Sequence, residues 1–119
     1  MLPTLREKRH YIAVEVLSKS ILSEQEIKKA IYTSISEFLG YEAARAGMHF
    51  IEFDNVKPKY GMQTFECILS INRKYDLKVK AALSLLSEIN GMSASCRVLG
   101  VSGTLKRLRE KFLHQKKVF

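Results

Sequence analysis

Arg9 to Ser18 reads RHYIAVEVLS, and its alternation decides the fold class. Ile12, Val14 and Val16 fall on one face, and Tyr11, Ala13, Glu15 and Leu17 on the other, the period of two that a β-strand requires. The next segment changes period. Ser23-Glu-Gln-Glu26 spells a capping box, in which the Ser23 hydroxyl and the Glu26 carboxylate satisfy backbone amides at a helix start reciprocally. Behind it Ile27, Ala30, Ile31, Ile35, Phe38 and Leu39 recur at helical spacing. Gly40 is placed to stop that helix, and Tyr41 to Gly47 allows one more short helical turn.

The pattern then repeats with a hairpin in its middle. Met48 to Asp54 (MHFIEFD) reads as a second strand, Asn55 to Gly61 (NVKPKYG) as a turn carrying Lys57 and Lys59, and Met62 to Asn72 (MQTFECILSIN) as a third strand. Asp76 is placed to cap a second helix over Leu77 to Ile89, striped by Val79, Ala82, Leu83, Leu86 and Ile89, with Gly91 as its stop. Ser93 to Val101 (SASCRVLGV) is a fourth strand. From Gly103 the chain turns helical again, with Leu105, Leu108 and Phe112 on one side. The order β-α-β-β-α-β plus a C-terminal helix predicts an α+β, ferredoxin-like sandwich of the RRM kind. Two helices should cover one face of a four-stranded antiparallel sheet and leave the other open. A chain of 119 residues suits one domain over residues 1–119, with a basic N-terminal arm (1–9) and a basic C-terminal helix and tail (103–119).

Charge is sorted along this frame. The chain carries 20 Lys and Arg against 12 Asp and Glu, a formal net charge of +8. Thr104 to Phe119 contains six Lys or Arg and one Glu, and Leu5 to His10 contains three and one. The two ends thus hold seven of the eight net charges. A uniformly solvated surface would not segregate charge in this way, so a polyanionic partner is expected: RNA, DNA or an anionic membrane surface. No apolar run is long enough to span a membrane. Cys67 and Cys96 lack CxxC or Cys-His spacing and read as reduced core thiols of a cytoplasmic protein. His10, His49 and His114 show no metal or triad spacing, and no nucleophile-base pair or phosphate loop stands out.

An ordinary RRM stacks bases on aromatic residues of its central strands. The third strand here lacks that signature. If Ile12, Val14, Val16, Phe65, Cys67 and Leu69 face the helices, the open face carries Tyr11, Ala13, Glu15, Thr64, Glu66 and Ile68. Two carboxylates in mid-sheet repel phosphate, and only Tyr11 can stack. With Leu17 and Arg97 added, this face reads either as a protein-partner surface or as a plain solvated one. The expected RNA contact moves to the chain ends. Gly100-Val-Ser-Gly-Thr104 leaves a strand and opens a helix, so Ser102, Gly103 and Thr104 with Lys106, Arg107, Arg109 and Lys111 can approach phosphates. Arg6, Lys8 and Arg9 in the arm, and Lys57 and Lys59 in the hairpin, are further candidates.

Leu5 to Ile12 (LREKRHYI) and Arg97 to Leu108 (RVLGVSGTLKRL), preceded by SEINGMSASC from Ser87, resemble the ribonuclease P protein component 2 family, archaeal relatives of the eukaryotic Pop-five subunit. The resemblance implies a ferredoxin-like, RRM-resembling sandwich without nuclease activity of its own. It implies a place in a ribonucleoprotein beside ribonuclease P protein component 3 and other ribonuclease P proteins, with a homodimer or a heterotetramer both open. There the chain would support the catalytic RNA, which uses Mg²⁺ to remove the 5′ leader of precursor tRNA. No cofactor is expected on the protein itself. A protein-interaction or small-molecule regulatory module without an RNA role is the alternative that the fold alone leaves standing.

Overall fold

In the computed structural model, which describes residues 8–112, the expected sandwich is present with one extra strand. In chain order the elements are β1 (Arg9–Ser18), α1 (Glu24–Leu39), α2 (Ala43–Ala46), β2 (His49–Lys59), β3 (Met62–Asn72), α3 (Asp76–Ser84), β4 (Glu88–Ile89), β5 (Met92–Ser102) and α4 (Leu105–Phe112). All strand pairs are antiparallel, in the order β2-β3-β1-β5-β4.

Periodicity accounts for the main core. Ile12, Val14 and Val16 of β1 and Phe65, Cys67, Leu69 and Ile71 of β3 pack under Ile27, Ile31, Ile35 and Leu39 of α1 and Val79, Ala82 and Leu83 of α3. Each fully buried Ile or Leu contributes roughly 1.5–3 kcal/mol of hydrophobic stabilisation. The capping box forms as read: the Glu26 amide donates to Ser23 Oγ at 3.2 Å, and the Ser23 amide to Glu26 Oε1 at 2.9 Å. Accepting that Ser23 amide holds the Glu26 carboxyl below its ordinary value.

Three boundaries differ from the sequence reading. The second strand does not stop at Asp54 but runs to Lys59, so the turn shrinks to Tyr60-Gly61. Both residues have positive φ, 56° and 72°, the pairing of a two-residue type I′ hairpin. Pro58 is tolerated because β2 is an edge strand, where a missing amide interrupts no ladder. The second helix ends at Ser84 rather than Ile89. Asn90-Gly91, with φ of 53° and 79°, is a second hairpin turn of that kind and not a helix stop, and it adds β4 as the fifth strand. Asp76 begins α3 from inside rather than capping it. Its carboxylate instead meets His10 Nδ1 at 3.0 Å and Lys80 Nζ at 3.6 Å.

The largest correction concerns the face expected to be open. α4 lies across it. Leu108 is fully buried in a second cluster with Ala13 and Ile68, and Tyr11, Leu99 and Leu105 pack around them. A bulge in β5, where Ala13 pairs with Gly100 but Val14 with Val98, releases Leu99 into this cluster. The sequence shows the apolar stripe on α4 but not the surface that receives it. That surface is the small apolar patch Ala13 and Ile68, framed by charged residues. Of Phe112, the third stripe residue, the side chain lies outside the described set.

Cys67 is buried, and burial pushes its thiol up to about 12, with nearby Lys28 opposing weakly. Burial raises the Cys96 thiol as well. β1 separates the two strands that carry them, with Cys67 opposite Val14 and Cys96 opposite Val16, so their Cα atoms are more than two strand spacings, roughly 9.5 Å, apart, beyond disulfide reach. A raised thiol value leaves almost no thiolate below pH 9, so both cysteines should resist iodoacetamide at pH 8 in the native protein and react on unfolding in urea; fast native labelling by mass spectrometry would contradict this. Leu108→Ala should cost about 2–4 kcal/mol and selectively expose α4, read as a lower urea midpoint with early loss of amide protection at 105–111.

Candidate nucleic-acid interface

The pairing of β1 brings distant basic segments to one end of the sheet. Arg9 lies opposite Asn72 at the end of β3, and Tyr11 opposite Ser102 at the end of β5. The start of β1, the Arg73–Tyr75 turn after β3 and the junction into α4 therefore share one edge, and the Arg73 amide donates to Lys8 O at 2.9 Å. Exposed at this end are Lys8, Arg73, Lys74, Lys106, Arg107 and Lys111. None of these six side chains has an ion-pair partner among the described residues. Arg73 and Lys74 were missed in the sequence because they sit in an unremarkable turn. Their signal was positional: the end of the third strand must meet the start of the first in an antiparallel pair.

The cations read from sequence are not equivalent. Arg9 lies inward, with Nε donating to Ser70 Oγ and Nη2 to Ser70 O, both at 2.9 Å, and Nη2 also to Gly47 O. Gly47 has φ +56°, and a Cβ there would come within 3.1 Å of the Arg9 guanidinium. Arg109 Nε donates to Glu52 Oε1 at 2.9 Å and ties α4 to β2. Lys59 Nζ meets Glu15 Oε2 at 2.6 Å. Lys57 is exposed, but at the hairpin end of the sheet. A ten-residue β1 puts that end roughly 30 Å from the basic one, several Debye lengths away in physiological salt. Arg6 lies outside the described residues, as do His114, Lys116 and Lys117.

At the junction itself, the Thr104 amide donates to Ser102 Oγ at 3.2 Å, and Thr104 Oγ1 accepts from the Arg107 amide at 3.4 Å. The Thr104 side chain thus caps α4 and takes one of the amides that an anion would use. Gly103 is exposed, and a Cβ built there meets nothing within 4 Å.

The residues expected to form an open partner surface are mostly covered. Ala13 and Ile68 are fully buried beneath α4, and Glu15 and Glu66 are 1% and 2% exposed. Tyr11 and Leu17 are half-buried, and the Arg97 side chain is 67% exposed. Glu15, Glu66 and Asp54 stand in one cross-strand row, ending at Arg97. Arg97 Nη2 donates to Glu15 Oε1 at 2.9 Å, so the buried Glu15 carboxylate is held from two sides, by Arg97 and Lys59. A buried charge needs such partners. Glu15 thus belongs to the internal bonding of the sheet, and of the residues expected on this face Arg97 keeps the most accessible surface, with Tyr11 and Leu17 half-buried. Among the described residues no group of three His, Cys, Asp or Glu side chains is set to hold a metal ion, and no helix is long and apolar enough to cross a membrane.

Fold and charge together define an RRM-like sandwich whose base-stacking face is closed by a helix and which presents six exposed cations, without ion-pair partners among the described residues, at one end of the sheet. The chain belongs to the Rpp14/Pop5 family, whose model matches residues 10–113. It is 44% identical to ribonuclease P protein component 2 of Thermococcus kodakarensis over 93% of this chain and 88% of that one. It is 41% identical to the protein of the same name from Pyrococcus furiosus, covering 95% and 89%, and 35% identical to that of Methanosarcina mazei, covering 100% and 96%. Its fold is similar to that of a chain in the cryo-EM structure of yeast ribonuclease MRP, with a TM-score of 0.59, 12% identity, and coverage of 94% and 96%.

The division between bonded and free cations has a direct test. Arg9→Ala should destabilise the fold by about 1–3 kcal/mol, because Ser70 and Gly47 lose charge-assisted donors. Lys106→Ala should stay within about 0.5 kcal/mol of the parent. Thermal and urea denaturation of the two variants measure this, and equal effects would remove the distinction.

Proposed function

We propose that this chain is a non-catalytic, RNA-binding subunit of a ribonuclease P ribonucleoprotein that removes the 5′ leader of precursor tRNA. The observation that carries this reading is the convergence of Lys8, Arg73, Lys74, Lys106, Arg107 and Lys111 at one sheet end, without ion-pair partners among the described residues, in a chain of the Rpp14/Pop5 family. Such a patch neutralises phosphates without reading bases, and displaced counterions supply much of the affinity. Its task is to screen repulsion where RNA strands crowd together, so that the RNA folds and holds its own Mg²⁺. The partner subunits are ribonuclease P protein component 3 and other ribonuclease P proteins, in the cytoplasm. Arg97, with the half-buried Tyr11 and Leu17, is the part of the sheet face still accessible to such a partner.

The test is the salt dependence of binding to a structured RNA such as a ribonuclease P RNA. Each phosphate contact contributes roughly 0.7–0.9 to the slope of log K against log salt. Lys106→Ala/Arg107→Ala/Lys111→Ala should therefore flatten the slope by about 2–3, with the fold intact by circular dichroism. An unchanged slope would sink the assignment of this end. If the parent chain fails to bind RNA even at low salt yet binds a protein tightly, the chain is a protein-interaction module instead.

A further inference from the structure

The basic end contains a defined cleft. Its volume is about 330 Å³, and it is lined by His10, Val101, Ser102, Gly103, Arg107 and Lys111. We infer that this cleft is a receptor for a single backbone phosphate of RNA, a deeper statement that rests on the RNA-binding reading above.

Four observations support it. First, among the described residues the charged and titratable lining groups are all basic. The neighbouring depression shares Ser102, Gly103 and Arg107 but adds Glu110, which repels an anion, so the phosphate belongs on the His10 side. Second, Arg107 and Lys111 stand four residues apart on α4 and share a helix face. Like charges at that spacing weaken a helix, and the described residues offer them no counter-ion. Asp76, the acid that meets His10, is itself also engaged by Lys80. Third, the Asp76 contact at 3.0 Å engages His10 through Nδ1, and His10 lines the cleft, so Nε2 is the ring nitrogen left to meet a phosphate. Fourth, the floor is small. Gly103 and Ser102 let a phosphate come close, and a guanidinium beside a hydroxyl matches its oxygens. The cleft combines residues from the first and last strands, which explains why His10 reads in sequence as a mere wall residue.

The experiment is a ¹⁵N-NMR titration of the whole chain with inorganic phosphate, then with a short oligouridylate. The expected result is saturable shifts confined to His10, Val101 to Gly103, Arg107 and Lys111, with oligouridylate saturating them at far lower concentration than phosphate. Arg107→Gln/Lys111→Gln should abolish those shifts, while Lys29→Gln on α1 should leave them unchanged. Weak shifts spread over exposed lysines everywhere would overturn the cleft. So would phosphate saturating the cleft while oligouridylate leaves it untouched, which would make it a site for a free anion. Failure here with a normal salt slope on structured RNA rejects the cleft alone. Loss of both rejects the RNA-binding reading itself.

Discussion

The antiparallel seating of β1 between β3 and β5 is the constraint on which the rest depends. It buries Ile12 to Val16 on both faces, under α1 and α3 on one side and under α4 and the Glu15 ion pairs on the other. It also sets the register Arg9 to Asn72 and Tyr11 to Ser102. Because side chains alternate with period two, a slip of one residue would exchange the aliphatic row for the Tyr11, Ala13, Glu15 and Leu17 row. The same register joins the two basic chain ends, so stability and the candidate interface rest on one set of ladder bonds.

α4 turns a common scaffold away from its usual mode of recognition. In an RRM the free sheet face stacks bases. Here Leu105 and Leu108 need apolar cover, and Ala13, Ile68, Tyr11 and Leu99 supply it. Arg109 reaches Glu52 to fasten the flank. The helix thereby spends one of its cations on the sheet and turns Lys106, Arg107 and Lys111 outward. The acidic row beneath it follows a similar logic, since Lys59 and Arg97 serve Glu15 and so are drawn from the pool of free cations.

Elements were legible where local chemistry decides them. The RHYIAVEVLS alternation, the Ser23–Glu26 box and the Ile27–Leu39 stripe each specify structure from neighbours in sequence, and they stand where expected except Phe38, which the stripe includes but which is 47% exposed. The extension of β2 through Pro58 was not legible, because its tolerance depends on β2 being an edge. The Asn90-Gly91 hairpin was legible in principle, as that dipeptide is a strong turn signal. It was masked by the apolar Leu86 and Ile89, which continue the helical stripe in spacing but are buried from a loop and a strand.

For the candidate site, the sequence by itself determined the inventory: basic ends, a neutral middle, a Gly-Ser-Thr junction and family-like motifs. Tertiary structure alone decided which cations remain free. Arg9, Lys59 and Arg109 are as basic as Lys106 or Arg107, yet Ser70, Glu15 and Glu52, 44 to 61 residues away in the chain, engage them. Arg73, Lys74 and His10 enter the basic end only because β3 ends where β1 begins. Charge is a property of composition, but availability of charge is set by what lies within a few ångströms, and strand pairing fixes that.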